Sequence, residues 1–270
     1  MSNEQVVSFY RQSTKDYDEV IASQPFFINS YALYDKLLVT LLNGRRYRKI
    51  LDLGCGTGAQ TVTLAGYGDE VVGVDIAEDL LALARKRCRE FPNVRCVNED
   101  ARNLPFEDES YDFVVSYGDV LSHIWDGYEK ALSEMVRVAK PGSIVTFEVD
   151  NKWNACLMYH PRELLEALCS PGRGHDTRVW EGLRFKTFTH PELVRMTNKY
   201  GLELLGYHGH NILASIIPDR FTLKSLNGNM LGRIALGLGK IDMRLSGVFP
   251  FNRLGFNSMV VTRKKGRGLK

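Results

Sequence analysis

Between residues 49 and 149, short apolar runs that read as buried strands alternate with stretches of helical periodicity. This rhythm limits the possible folds more than any other feature of the chain. The strand runs fall at 49–53, 70–75, 94–97, 113–116 and 144–149. Between them, Leu80, Ala84 and Cys88 recur at four-residue spacing. Tyr128, Leu132, Met135, Val136 and Ala139 form a second helical stripe, which Pro141-Gly142 is expected to end. Apolar strands separated by single helices imply βαβ units and a parallel sheet covered on both faces. Residues 1–42 read as helical, with Asn43-Gly44 as the stop signal. After residue 150 the rhythm breaks into two longer stretches around a helix-then-strand unit at 191–206, and a last strand falls at 258–262.

The expected fold is therefore α/β: a doubly wound, seven-stranded, mostly parallel sheet with helices on both faces and an antiparallel last strand. It is read as a single domain over 1–270. A helical cap covers 1–42, a ligand-binding core covers 43–150, and variable lid insertions occupy 151–188 and 212–254, where specificity elements usually sit.

An apolar content of 44% and a charged content of 25% fit an ordinary globular chain and exclude disordered or fibrous classes. No window approaches the run of about 18 apolar residues that a membrane span needs. The start, MSNEQVVSFY, carries no secretory pattern. The five cysteines are scattered and contain no C-x-x-C pair, so neither a disulfide framework nor a thiolate metal site follows. A reducing cytoplasm is the expected setting. Charge is uneven. From Pro218 onward there are 11 Lys/Arg against 2 Asp/Glu, ending in Arg263-Lys264-Lys265-Gly266-Arg267. A solvated basic face is the simpler reading of that segment, and an anionic partner the other.

The segment Asp52-Leu53-Gly54-Cys55-Gly56-Thr57-Gly58 follows a strand and opens a helix. Glycines there allow a tight turn and a close backbone approach, and the helix start offers unpaired N–H groups. Taken alone the pattern is ambiguous. Gly54, Gly56 and Ala59 also satisfy a dinucleotide fingerprint, and Asp75 stands at the right distance to hold a ribose hydroxyl. Two carboxylates tip the reading toward a cationic nucleoside. Asp52, at the strand end, suits a ligand ammonium better than a diphosphate. Asp100, in Asn98-Glu99-Asp100-Ala101, could accept from an adenine amino group.

The ordered runs ILDLGCGTG, VVGVD, NEDARNLPFEDESYDFVVS and EMVRVAKPG resemble the class I S-adenosylmethionine-dependent methyltransferases, strongly over about residues 45–150. The resemblance implies the Rossmann-like methyltransferase fold and S-adenosyl-L-methionine as cofactor. It implies that Asp52, Gly54, Cys55, Gly56 and Gly58 hold the methionine part through the loop, with Cys55 only a small residue that fits. Asp75 would take the ribose hydroxyls, Ile76 would pack on adenine, Asp100 would accept from the adenine amino group beside the Ala101 N–H, and Ser116 would face the methionine end. In similar enzymes an N-terminal segment folds over the cofactor, which brings in Tyr17, with Tyr10 beside it. The chain departs from the family pattern at Ala139 and Ser143, both away from the implied pocket.

A sulfonium methyl is already electrophilic, so alignment and water exclusion carry much of the catalysis. A base matters when the acceptor must lose a proton. His123, just past the fourth strand, is the candidate; His160, His175, His190, His208 and His210 lie in the variable half. No histidine spacing matches a metal-ligand pattern, so no metal is expected. The sequence SYGD after the fourth strand is not the N/D-P-P-Y/F of amino-methylating nucleic-acid enzymes, which favours a small-molecule acceptor over nucleic acid. Trp125, Trp153, Tyr159 and Trp180 are candidate walls for that acceptor. The segment 221–251 alternates apolar and basic residues. Core packing against the sheet is its simpler account, and a cap resting on an anionic membrane surface the less favoured one. Two other functions fit the glycine loop: a nicotinamide-dependent oxidoreductase, and a non-catalytic or RNA-interacting protein that retains the pocket.

Overall fold

The structure, a computed structural model, describes residues 7–11, 17–174, 178–180 (backbone only) and 183–266. His175, Arg267 and the side chain of Trp180 lie outside that set. Helix α1 (7–11), helix α2 (Tyr17–Ser23) and helix α3 (Pro25–Leu42) precede the sheet. Helix α3 starts with Pro25 in its first turn. It ends where Asn43 (φ 47°) and Gly44 (φ 66°) turn left-handed, with the Asn43 N–H donating to the Val39 carbonyl.

The core alternates as the periodicity implies: β1 (Tyr47–Leu53), α4 (Ala59–Ala65), β2 (Gly68–Asp75), α5 (Glu78–Arg87), β3 (Val94–Asn98), β4 (Tyr111–Ser116), α6 (Val120–Ile124), α7 (Tyr128–Val138) and β5 (Ala139–Asn151). Ala139 opens β5 in extended geometry, so the helix stops one residue short of the expected stripe. Beyond the core lie α8 (Pro161–Cys169), β6 (Arg178–Trp180), β7 (Leu183–Phe185), β8 (Thr187–Phe188), α9 (His190–Lys199), β9 (Leu202–His210), α10 (Asp219–Thr222), α11 (Met230–Leu245) and β10 (Asn257–Lys264). A capping box between Thr189 and Glu192 opens α9.

The main sheet runs β3-β2-β1-β4-β5-β10-β9, with the two-residue β8 added beside the end of β5. The strands from β3 to β5 are parallel, and β10 is antiparallel to both of its neighbours. β6 and β7 form a separate hairpin. This is the Rossmann-like methyltransferase fold.

Both sheet faces are buried. Ile50, Val71, Phe113 and Val115 point to the α3 side, against Leu33, Leu37 and Leu38. Leu51, Leu53, Val72 and Val114 point to the other side, against Leu132 and Met135 of α7. Successive strand residues thus serve opposite cores, as a parallel sheet between two helical layers requires. Because β2 and β3 follow β1 outward on one side while β4 returns beside it on the other, the strand order reverses between β1 and β4. A crevice opens there, at the carboxyl ends of the strands. Among the described residues no helix is long and apolar enough to cross a membrane.

Candidate active site

The crevice encloses about 1030 Å³, its solvent mouth included. Its floor is the glycine loop after β1. Gly54 (φ 76°), Gly56 (φ 53°) and Gly58 (φ 80°) all take left-handed backbone. Their reasons differ. A Cβ on Gly54 would lie 2.1 Å from Val120 Cγ2, whereas a Cβ on Gly56 would meet nothing within 4 Å. Gly54 therefore lets α6 approach the loop, and Gly56 leaves bare backbone facing the crevice. Gly58 does not line the crevice. A Cβ there would crowd Ala84 and Cys88 of α5, so its role is helix packing.

Asp75 ends β2 and lines the crevice. Its Oδ2 accepts the Gly56 N–H at 2.9 Å and its Oδ1 accepts the Ala77 N–H at 2.8 Å. These bonds steady the carboxylate against burial, which nevertheless raises its pKa. Ile76, Cys55 and Ala101 line the same wall. Asp100 lines it too, but Arg102 occupies much of its acceptor capacity. The Arg102 Nη2 reaches Oδ2 at 2.7 Å, and the Arg102 backbone N–H and Nε reach Oδ1 at 2.9 and 3.0 Å.

Two more of the implied contacts, besides Gly58, do not line the crevice. Asp52 is buried and absent from the lining, and its Oδ2 accepts the Thr61 hydroxyl at 2.6 Å. Burial pushes its pKa up to about 7. Strand alternation sends this side chain into the packing between β1 and α4. Ser116 is likewise fully buried at the end of β4, its hydroxyl without a hydrogen-bond partner, and the next residues, Tyr117 and Gly118, face the crevice instead.

The N-terminal helices close the opposite wall. Tyr10, Tyr17 and Tyr31 all line the crevice. Burial raises the phenol of Tyr17 to about 12 and those of Tyr10 and Tyr31 well above their ordinary value, so all three are neutral hydroxyls at pH 7. The cap is tied to the core. Arg87 binds Asp18 at 2.7 Å and Thr57 at 2.6 Å, the Thr57 hydroxyl binds Asp18 at 2.9 Å, and Arg11 binds Asp79 at 2.9 Å.

His123 of α6 also lines the crevice. This short helix lies between two non-glycine residues in left-handed backbone, Asp119 (φ 60°) and Trp125 (φ 57°). Such strain costs on the order of 1–3 kcal/mol per residue and collects at functional sites. Burial drops the imidazole pKa to about 4, so the ring is neutral at physiological pH. The Tyr10 hydroxyl sits 3.1 Å from Nδ1. In the tautomer where Nδ1–H donates to the Tyr10 oxygen, Nε2 is the acceptor and can take a proton.

Behind His123 lies a polar group that the sequence spacing did not announce. Asp119, His123 and Asp150 present ligating atoms within 4.8 Å of one another. Asn257 donates its Nδ2 to Asp119 Oδ1 at 2.5 Å and sits 3.5 Å from Asp150 Oδ1. Burial, then Asp150 and Glu148, raise Asp119 well above the usual carboxylate range. The Asn257 amide faces both carboxylates. Beneath it, the buried Glu148 accepts the Tyr34 hydroxyl at 2.5 Å and the Gly118 N–H at 2.7 Å, and it pairs with His210. That network fixes the turn between β4 and α6. Tyr31, Gln60, Tyr117 and Arg102 also reach the crevice, and no motif marked them.

Three carboxylates line the crevice (Asp75, Glu99 and Asp100), and the one cation of the lining, Arg102, is engaged by Asp100. The electrostatics favour a cationic ligand over a diphosphate. Asp75, Ile76 and Ala101 at one end and bare backbone at Gly56 fit an adenosine attached to an amino acid.

Comparison with known proteins agrees. Residues 50–142 match the family described as a methyltransferase domain. A demethylmenaquinone methyltransferase from Staphylococcus aureus is 35% identical over 147 residues, which is 53% of this chain and 59% of that protein. The similarity thus spans little more than half the length of that relative. Among solved structures, the 4+2-cyclase SpnF superposes with a TM-score of 0.70 at 17% identity, covering 98% of this chain and 97% of that one. A possible histamine N-methyltransferase from Thermotoga maritima gives 0.57 at 19%, covering 95% and 98%. At these identities the structural neighbours show the fold.

Proposed function

We propose, for a chain that carries a methyltransferase domain of the class I S-adenosylmethionine-dependent superfamily, that it methylates a small-molecule acceptor bearing an O–H or acidic C–H, with His123 as the base. The observation that carries this reading is one crevice lined both by the carboxylates Asp75, Glu99 and Asp100 and by a neutral imidazole, His123.

S-adenosylmethionine supplies an electrophilic methyl on a sulfonium. The chain supplies the rest. Asp75 and Ile76 hold the nucleoside end, and the Gly54-Cys55-Gly56 backbone holds the amino-acid end. Tyr10, Tyr17 and Tyr31 close over the crevice and exclude water, and their ring faces suit a cationic sulfur. His123 Nε2 takes the acceptor proton while Tyr10 holds Nδ1, an effect worth typically 10²–10⁴-fold in rate. The 35% relative is named for a demethylmenaquinone acceptor.

The test is incubation with isotopically methyl-labelled S-adenosylmethionine and a metabolite extract, followed by mass spectrometry. Label in a small molecule that is lost with His123→Ala supports the reading. Label in no small molecule overturns it.

A further inference from the structure

Helix α11 is turned the wrong way round for a helix that merely packs on a protein. Its buried positions are small or polar: Gly232, Ala235, Gly239 and Asp242. They lie at three- and four-residue spacing and face α3, where a Cβ on Gly239 would sit 2.1 Å from Asn29 and the Asn29 amide donates to the Ala235 carbonyl at 3.2 Å. Asp242 is consumed by the Leu213 and Ala214 N–H groups at 2.8 and 3.1 Å. Three large apolar residues are outside, while Leu231, Leu236, Leu238, Met243 and Leu245 are half-buried and Met243 packs on the core. Met230 is 73% exposed, and Ile234 and Ile241 are each 46% exposed. The sequence expectation of core packing holds for Met243 and fails for Met230, Ile234 and Ile241.

Val248 and Phe249, just past the end of the helix, are exposed as well. Arg233, Lys240 and Arg244 are interleaved with the exposed apolar residues of the helix and are themselves exposed, and none of them is paired with a carboxylate among the described residues. No exposed acid occurs on this helix. A second copy of the chain would set these three cations against themselves across a two-fold contact, which like charges oppose. Bulky apolar groups mixed with cations on one helical face match an anionic lipid surface, where the former enter the acyl boundary and the latter meet phosphate.

We propose that the outer face of α11, with Val248 and Phe249, docks this protein on an anionic membrane surface. The contact is separate from the crevice and does not depend on the reaction proposed for it.

The experiment is co-sedimentation of the full chain with vesicles of phosphatidylcholine alone or mixed with phosphatidylglycerol, at low and high salt. The expected result is binding to the anionic vesicles at low salt that weakens at high salt, with little binding to phosphatidylcholine. Arg233→Gln/Lys240→Gln/Arg244→Gln should weaken it on the order of a hundredfold, roughly fivefold per cation. Ile234→Glu/Ile241→Glu should abolish it. Both variants change exposed side chains, so unchanged thermal unfolding and unchanged S-adenosylhomocysteine binding serve as folding controls. A chain that stays in the supernatant with anionic vesicles, binds phosphatidylcholine equally well, or binds undiminished in both variants overturns the proposal. So does concentration-dependent dimerisation that Ile234→Glu removes in the absence of vesicle binding.

Discussion

The Tyr10 hydroxyl lies 3.1 Å from His123 Nδ1, across 113 residues of chain. This bond joins the N-terminal cap to α6 and orients the imidazole. Tyr10→Phe is expected to lower kcat by about tenfold through loss of one orienting hydrogen bond, while cofactor affinity stays near wild type. His123→Gln should lower kcat by on the order of 10²–10⁴-fold. Steady-state kinetics with separate calorimetry for the cofactor checks both.

The same imidazole sets the acid limb of the rate profile. A base with a pKa near 4 is neutral, and competent, at every pH well above that value. The kcat profile should therefore be flat through neutrality on the acid side and fall only as pH drops through about 4, not near the ordinary histidine value of about 6.5. A limb near 6.5 in pre-steady-state methyl transfer would remove His123 from the role.

Asp52 gives the opposite sign in stability. Its folded pKa, about 7, lies above the unfolded carboxylate value, so the unfolded chain ionises first. Its contribution is intact below about pH 4 and is lost as pH rises through 7. Asp52→Asn keeps an acceptor for Thr61 and cannot ionise. Relative to wild type it should gain roughly 3–4 kcal/mol between pH 4 and pH 8, read from denaturant titrations at both pH values.

Gly54 tests the loop. Gly54→Ala faces both the 2.1 Å clash with Val120 Cγ2 and a φ of 76°. It is expected to cost roughly 2–4 kcal/mol, the sum of overpacking and left-handed strain. Adding Val120→Ala should recover the steric share and leave about 1–2 kcal/mol of backbone strain. A double mutant no more stable than the single one would show that Val120 is not the obstacle.

The core strands were legible because buried parallel strands are near-continuous runs of Val, Ile and Leu, as in 70–75 and 113–116, and little else produces that pattern. Asp75 and Ile76 were legible because a strand that stops at the sheet edge delivers its last residues to the crevice. Asp52 and Ser116 were implied by the resemblance, which does not encode the face each side chain takes. Alternation sends neighbouring side chains to opposite faces, and a one-residue error moves a group from the crevice to the core. Tyr31 and Asp150 depend on how α3 crosses the sheet and how far β5 extends, and no local pattern encodes either. In α11 the periodicity showed a stripe but not which side packs. The close fit of Gly239 against Asn29 decided that, and it needs the tertiary contact.

The account rests on what the crevice binds. Titration calorimetry of S-adenosylhomocysteine and of NADH against the wild type and Asp75→Ala addresses it most directly. The prediction is binding of S-adenosylhomocysteine that weakens about 10–100-fold in Asp75→Ala, since the carboxylate makes charge-assisted hydrogen bonds, with no heat from NADH. Tight NADH binding, or S-adenosylhomocysteine binding that is absent in the wild type or unchanged in Asp75→Ala, would contradict it.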